Sequence, residues 1–598
     1  MNTLKKTIYL LTLSGKKNAI IMITLILIMA VLDMIGVASI FPFIGVITNP
    51  NLVETNIYLS YFYKFTSSFG IRSIEHFIFI LGIIVFMILM ISLTFRAFMA
   101  YLQARFTLMR EYIIGKRLIE GYLRQPYSWF LNKNSADLSK NILSEINHVI
   151  HQTVVPMMIL ISQSAIAFAL IILLLFVDAN LTIIIALVLA ISYLLIFRFV
   201  KNILSRIGFE RFQANTKRFQ IITEAFGSIK ETKVRGLEQV YINRFAEPAK
   251  IYAINQSFAQ VISQLPRYFI EGIVFGGMII LLLALMARGG NFSNIIPVLT
   301  LYAFAGYRLI PALQQIYYSN TQLSFSESSL DSLYKDLIKL NTIEKEEGKT
   351  KIIPFTKVIK FNHIYFSYNG NKNTTLEDIN ITIPVFSKIG IVGPTGCGKT
   401  TLVDIMLGLL YPQKGTLTVD ETVINNYNKR SWQKIIGYVP QQIYLADDSL
   451  AANIAFGVDK SNIDQNALKQ ASIIANLHDF VTTELTEGYD TIIGERGVRL
   501  SGGQQQRIGI ARALYNNPDI LILDEATSAL DIQTEKVIIK SIENLKKKIT
   551  IIHITHRLHT VINYDKIFLI EKGKIAAQGN FDQLMLNKNF SDNYVYKN

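Results

Sequence analysis

Cysteine is almost absent from this chain of 598 residues, where Cys397 stands alone. No internal disulfide is therefore available, nor any cysteine-based redox or metal framework. Charge is scarce as well. Asp, Glu, Lys and Arg make up 17% of the residues against 51% hydrophobic ones, with a mean hydropathy of +0.33. That is too apolar for a soluble protein of this size and fits a membrane protein with a soluble portion. Acidic residues are the scarcer sign, leaving a formal net charge of +15. Such an excess fits either nucleic acid or a membrane surface. A cleavable signal peptide is not expected, because the first apolar run is too long and lacks a small-residue cleavage site. At this length several structural units are expected rather than one.

What the chain does contain is apolar runs. Six of them, roughly 19–47, 74–101, 154–177, 181–200, 269–287 and 295–316, reach the about 20 helical residues that a bilayer requires. The loops between them divide by charge. Lys5, Lys6, Lys16 and Lys17 precede the first span, and Arg105, Arg110, Lys116, Arg117, Arg124 and Lys133 follow the second. After the fourth come Lys201, Arg206, Arg211, Lys217, Arg218, Lys230, Lys233 and Arg235, whereas the loop between the third and fourth has no Lys or Arg. The loop 49–73 has only Lys64 and Arg72. This asymmetry puts both termini in the cytoplasm. Because the basic residues track topology, they argue against a nucleic-acid partner.

Both basic segments keep helical character beyond the bilayer, and each breaks once, at Gln125–Phe130 and at Phe226–Lys230. Short helices turned toward the cytoplasm are expected there, with simple loop turns as the alternative. In the loop 49–73, Val53, Ile57, Tyr61, Phe62, Phe65 and Phe69 recur at near-helical spacing. That pattern fits a short amphipathic helix at the outer surface, or equally a packed loop. Arg96, Arg267 and Arg308 stand inside or beside apolar spans. A lipid-facing Arg at a span centre costs roughly 2.5–3.5 kcal/mol on insertion scales. Either these three snorkel to the inner interface, which is common at span ends, or they face an aqueous cavity and bind an anion. Glu271, one turn after Arg267, is a ready partner for it. Asp33 is a further intramembrane acid whose partner the sequence does not name.

Beyond Leu323 the composition turns polar, and 326–356 reads as a linker between a membrane domain, 1–325, and a soluble α/β domain, 357–598. The soluble domain is built around Gly393-Pro394-Thr395-Gly396-Cys397-Gly398-Lys399-Thr400, which matches the phosphate-binding pattern G-x-x-x-x-G-K-[ST]. An apolar strand precedes the loop, and a helical stretch begins at Thr401. The glycines admit backbone N–H groups to phosphate oxygens, and the new helix turns its positive end toward them. Lys399 would reach the β- and γ-phosphates, and Thr400 would ligate Mg²⁺. Cys397 reads as a small filler in the loop, with the corollary that a thiol reagent there would block nucleotide binding. Asp524 closes the buried run Ile520–Leu523, in position to hold Mg²⁺, and Glu525 is placed to orient or deprotonate a water. Ser501, Gly502, Gly503 and Gln504 open another helix whose N–H groups would clasp a γ-phosphate. His556 and Gln441 each follow a strand and would contact the same phosphate, or the metal and water. Tyr368 would stack on an adenine ring. Taken singly, Tyr368, Gln441 and His556 are more often ordinary structural residues.

As an ordered set, Tyr368, the phosphate loop, Gln441, Leu500–Gln504, Asp524-Glu525, Ser528–Asp531 and His556 resemble the nucleotide-binding domain of ATP-binding cassette transporters. Gly494-Glu495-Arg496-Gly497 is similar to the loop with which exporters of that family touch their membrane domain. Six spans before one cassette resemble an exporter-type half-transporter: a membrane α-helical domain fused to an α/β P-loop cassette. The resemblance implies ATP and Mg²⁺ as cofactors, with Tyr368, Gly393 to Thr401 and Ser501 to Gln504 contacting nucleotide. It also implies a homodimer, because one subunit's signature covers ATP on the other's phosphate loop. With Glu525 and His556 both present, both sites are expected to hydrolyse. Gln505-Gln506 before Arg507 depart from relatives that carry a basic residue first, a change expected to be without consequence.

Leu93–Ala97, Pro266–Gly272 and Tyr307–Pro311 further resemble flippases for lipid-linked oligosaccharides. That resemblance turns Arg96, Arg267 and Arg308 toward a cavity role, pairing with a polyprenyl pyrophosphate in the bacterial inner membrane. An outer amphipathic helix is also a feature of that group, where it engages the polyprenyl tail. Other amphipathic cargo, such as a peptide, lipid or drug, is the alternative. A peptide exporter often adds a cysteine protease domain, and a drug or lipid A exporter has no need of three arginines.

Overall fold

The computed structural model describes all of the chain except residues 1–2, 11–12, 69–72, 269–270, 273–275, 278, 280–291, 341–352, 369–373, 495–496, 528, 544–548 and 587–598. Two compact units form, one of residues 1–125 with 129–344 and one of 126–128 with 345–598.

Among the described residues the first unit contains helices and no strand. Long apolar helices run over Leu13–Ala38, Ile74–Leu123, Val155–Val177, Ala179–Gly227 and Phe292–Phe325. Among the described residues four helical stretches are long and apolar enough to cross a membrane, matching the first four expected spans, and Phe292–Phe325 covers the sixth. The fifth in sequence, 269–287, lies largely outside the described residues. Apolar side chains line the helix contacts, with Ile26, Met99, Leu170, Leu301 and Ala305 fully buried at the centre. The helices of 50 and 49 residues extend well past the about 20 needed to span a bilayer. Gly208 is where Ala179–Gly227 crosses Phe325, and a Cβ there would stand 2.0 Å from the Phe325 carbonyl oxygen. Short helices, Tyr127–Phe130 and Ile229–Arg235, occupy both expected breaks.

The loop after the first span is helical, over Leu52–Thr55 and Ile57–Ser67, and Asn56 caps the second helix by accepting from Tyr58 and Leu59. Leu59, Phe62 and Tyr63 pack on Val46, Phe77 and Leu81. Ile57, Tyr61 and Phe65, three of the residues that mark the expected apolar face, lie exposed beside Tyr58. Phe69 lies outside the described residues. The helix therefore carries apolar residues on two faces, one against the bundle and one exposed.

Within 326–356, expected as a linker, the structure has a packed helix over Glu327–Leu340. Its Leu330, Leu333, Leu337 and Leu340 recur at helical spacing and bury against Leu10, Ile114, Leu118 and Ile146. The charged run at 345–350 that makes this stretch read as a tether lies outside the described residues.

The second unit is α/β. Its strands are β1 (Val358–Phe366), β2 (Leu376–Pro384), β3 (Lys388–Val392), β4 (Lys414–Val419) and β5 (Thr422–Val423), then β6 (Ile436–Val439), β7 (Ile520–Asp524), β8 (Thr550–Ile554), β9 (Lys566–Glu571) and β10 (Lys574–Gly579). An antiparallel sheet has the order β2-β1-β4-β5, and a six-stranded sheet the order β10-β9-β3-β8-β7-β6. From β9 to β6 the second sheet is parallel. Both faces of that sheet are covered, which is why every position of β7 and β8 is buried and Ile520–Leu523 is an unbroken apolar run. Ile391, Ile522, Ile552 and Phe568 face one core, while Val439, Leu521, Leu523 and Ile551 face the other.

Candidate functional site

Parallel topology brings the carboxyl ends of β3, β8, β7 and β6 side by side, which is where open α/β sheets bind ligands. Each of these ends carries a residue singled out by the sequence. The phosphate loop follows β3 and runs into the helix Lys399–Met406. Its glycines are required by crowding. A Cβ on Gly393 would stand 2.2 Å from the Ile570 carbonyl oxygen, and Gly398 has φ +107° with Leu376 2.8 Å from its missing Cβ. Lys399 is buried and donates to the carbonyl oxygens of Gly393 and Pro394, at 2.9 and 3.0 Å. An ammonium held inside the loop by two neutral acceptors is poised for a stronger, anionic one. The Cys397 thiol is buried there, and burial raises its pKa. Tyr368 bonds Thr401 through their hydroxyls at 3.1 Å, which ties the aromatic ring to the start of the same helix.

Next to the loop lies a concentration of acid. Asp524 ends β7 buried, with Tyr438 donating to it at 3.4 Å. Burial, and then the neighbouring Glu525, raise the Asp524 pKa. Asp404, on the loop's own helix, is pushed up to about 6 by burial and then by Asp524. Carboxylates that burial and mutual repulsion make reluctant to ionise fit a site completed by a cation. Among the described residues no three His, Cys, Asp or Glu side chains converge as ligands. Mg²⁺ suits such a donor set, because it takes one or two carboxylates and leaves the rest to waters and phosphates.

Glu525 follows in the left-handed region, at φ 50°. That turn aims its carboxylate at both flanking loops. Gln441 Nε2, after β6, donates to Oε2 at 2.6 Å, and His556 Nε2, after β8, lies 2.5 Å from Oε1. The three residues expected to act on water and phosphate thus meet at one carboxylate, across three adjacent strand ends.

Ser501 caps the helix Gly502–Tyr515, accepting from the Gln504 backbone at 3.2 Å while the Gln504 side chain accepts from the Ser501 N–H at 2.7 Å. This reciprocal cap holds the signature residues at an exposed helix N-terminus. The next two glutamines are not idle. Gln505 donates to the carbonyls of Gly497 and Leu500, at 3.0 and 3.4 Å, and Gln506 accepts from the Ala529 N–H at 2.9 Å. Glu495, Arg496 and Ser528 lie outside the described residues.

In the helical unit, Arg96 pairs with the buried Asp33, which also accepts from Ser92 at 2.6 Å. Arg308 lies within electrostatic range of both Arg96 and Asp33. Arg267 is engaged instead by Glu271 at 2.8 Å, and Gln314 donates to the same carboxylate oxygen at 3.2 Å.

Sequence reasoning missed Asp404, although an acid inside the run Leu402-Val403-Asp404-Ile405-Met406 is a readable signal. It left Asp33 without its partner, because the pairing depends on the register between two spans. Tyr438 and the two glutamines gave no signal.

A helical membrane bundle joined to an α/β unit with this phosphate loop and carboxylate cluster defines an ATP-hydrolysing transporter. The ABC transporter pattern matches residues 376–528, and that of the ABC transporter transmembrane region matches 19–306. An ATP-dependent lipid A-core flippase of Cupriavidus metallidurans is 30% identical over 474 residues, 78% of each chain, and one of Cupriavidus pinatubonensis is 29% identical over 473. A multidrug export ATP-binding/permease protein of Bacillus subtilis is 35% identical over 288 residues, 48% of this chain and 49% of that one. The fold matches a bacterial Atm1-family ABC exporter with ATP bound at TM-score 0.79, covering 96% of this chain and 99% of that one at 19% identity. The chain belongs to the ABC transporter family. It is a half-transporter of exporter fold that couples ATP hydrolysis to transport.

Proposed function

We propose that two copies of this chain form a homodimer in the bacterial inner membrane, with both termini cytoplasmic. The dimer moves a polyprenyl-pyrophosphate-linked oligosaccharide from the inner to the outer leaflet. In each nucleotide site Lys399 and the N–H groups from Gly393 to Thr401 hold the phosphates, Tyr368 meets the adenine, and Thr400, Asp524 and Gln441 take up Mg²⁺. Bound Mg²⁺ neutralises phosphate charge. Glu525 accepts the proton of the attacking water, with its carboxylate aimed by Gln441 and His556. Ser501 to Gln504 of the partner close the site through an exposed helix N-terminus. One chain supplies one phosphate loop and one signature, so two chains complete two sites.

The observation that carries the cargo assignment is the position of Arg96 and Arg308, two guanidinium groups within electrostatic range of each other inside an apolar bundle. Guanidinium forks pair bidentately with phosphate oxygens, and two together suit a pyrophosphate. The outward apolar face of Ile57, Tyr58, Tyr61 and Phe65 supports a lipidic cargo. A second reading, a different phosphorylated lipid, is favoured by the relatives named lipid A-core flippase. Flipping assays in proteoliposomes separate the two. Polyprenyl-pyrophosphate glycans are expected to flip, and Arg96→Ala, Arg267→Ala and Arg308→Ala to lower that flipping, with ATP binding in the same preparation confirming the fold. Normal flipping in all three variants would refute the pyrophosphate role. Flipping of lipid A alone would select the second reading.

A further inference from the structure

Asp33 is the acid the cargo reading has no use for, and it sits where a cargo anion would. It is almost fully buried in the first long helix, and Arg96 Nη2 and Ser92 both donate to its carboxylate. Arg96 Nε is buried and makes no hydrogen bond among the described residues. The guanidinium therefore spends one edge on Asp33 and keeps another donor in hand. Arg308, on the helix Phe292–Phe325, lies within electrostatic range of both. Two guanidinium cations and one carboxylate leave one net positive charge at the cluster, because Arg does not deprotonate in proteins. A buried charge left without a counter-ion is costly, which is the reason for an acid here.

We infer that Asp33 is an internal counter-ion that competes with the cargo's anionic group for Arg96, so that it sets how tightly an anionic lipid is held and lets it leave. The inference rests on reading Arg96 and Arg308 as cargo contacts. An incoming phosphate meets Arg308 first as the uncompensated cation, then shares or displaces Asp33 on Arg96. When the phosphate departs, Asp33 takes Arg96 back. No proton or bond changes hands in this exchange. Ser92 keeps the carboxylate oriented while Arg96 is away, so the acid remains hydrogen-bonded in both arrangements.

The test is ATPase stimulation of the full chain in nanodiscs by undecaprenyl pyrophosphate, by lipid A and by the neutral alcohol undecaprenol. Asp33→Asn keeps a partner for Ser92 and removes the competing charge. The half-saturating concentration of a phosphorylated lipid is expected to fall about tenfold, less than the full worth of one close charge pair at an effective dielectric near 20 because water in the cavity screens it. That of undecaprenol should stay put. Asp33→Glu keeps the charge and is expected to behave as wild type, while Asp33→Asn with Arg96→Gln loses the gain. Unchanged half-saturation for both phosphorylated lipids, or an equal gain for undecaprenol, overturns the inference. If lipid A shows the shift while undecaprenyl pyrophosphate stimulates no variant, the polyprenyl assignment falls and the role of Asp33 stands.

Discussion

Gln441 Nε2 lies 2.6 Å from Glu525 Oε2, and the bond joins the loop after β6 to the carboxylate at the end of β7. His556 holds the other oxygen from the loop after β8. A carboxylate gripped from both sides keeps its orientation, which a general base requires before its basicity matters. Glu525→Gln is expected to bind ATP and lower kcat about 10²–10⁴-fold. Gln441→Ala removes one bond to a charged group, worth roughly 1.5–3 kcal/mol. It should cost about ten- to a hundredfold in kcat, with a small change in KM. Steady-state ATPase assays beside nucleotide-binding measurements check both. Near-normal turnover by Glu525→Gln would remove it as the base.

Three consecutive glutamines divide the support of the signature helix among them. Gln504 closes the cap on Ser501, Gln505 binds the incoming loop at Gly497 and Leu500, and Gln506 receives the N–H of Ala529. Gln505 acts only as a donor in these bonds. Gln505→Lys keeps a donor and is expected to retain wild-type ATPase. Gln505→Glu sets a carboxylate against two carbonyl oxygens and should lower kcat severalfold, with a loss of about 1–3 kcal/mol in local stability. Hydrogen exchange at 497–505 reads the local effect. Equal activity of the two variants would mean that the helix start needs no such brace.

Asp404 is buried beside Asp524, and its pKa is pushed up to about 6. A carboxyl whose folded-state pKa exceeds its unfolded value of about 3.9 favours the fold when protonated and opposes it when ionised. Its cost therefore appears as pH rises through that interval and is complete above about 6. Asp404→Asn is neutral throughout. In the nucleotide-free protein it is expected to raise the unfolding temperature at pH 7.5, with the gain shrinking as pH falls through about 6 and absent below about 4. Thermal unfolding across that range decides. A gain independent of pH would place its origin outside this carboxyl.

The parts of the molecule legible in the sequence are those where one residue type forces one geometry. The glycines at 393 and 398 are demanded by backbone atoms crowding their α-carbons, so the loop motif reads directly as structure. Unbroken apolar runs such as Ile520–Leu523 read as strands because both faces of the parallel sheet are covered. The helix Glu327–Leu340 was legible too, in its leucines at 330, 333, 337 and 340, but polar composition masks periodicity when a stretch is judged by content. What the sequence withholds is register between distant segments. Asp33 and Arg96 are 63 positions apart, and Gln441 and Glu525 are 84 apart. Nothing local announces either pair.

The same applies to an ion pair buried in the helical unit. Arg211 Nη2 meets Glu145 Oε2 at 3.0 Å with both side chains almost fully buried, and Asn215 donates to the other carboxylate oxygen at 2.8 Å. Glu145 ends the π-helical turn Asn141–Glu145, a local irregularity of the kind that re-aims a side chain. Ser329, on the helix Glu327–Leu340, accepts from the same Arg211 nitrogen at 3.4 Å, so the pair joins three segments of the chain. Removing one partner strands the other charge away from water, at a cost of about 3–5 kcal/mol. Glu145→Ala and Arg211→Ala should each show that loss as a lower unfolding temperature and a lower yield of folded protein. Replacing both by apolar residues of similar volume, Glu145→Leu with Arg211→Met, leaves no stranded charge and should recover most of it. Recovery in the double variant identifies charge burial as the cause. A double variant as unstable as the sum of the singles would show instead that the bonds to Asn215 and Ser329 hold these helices together.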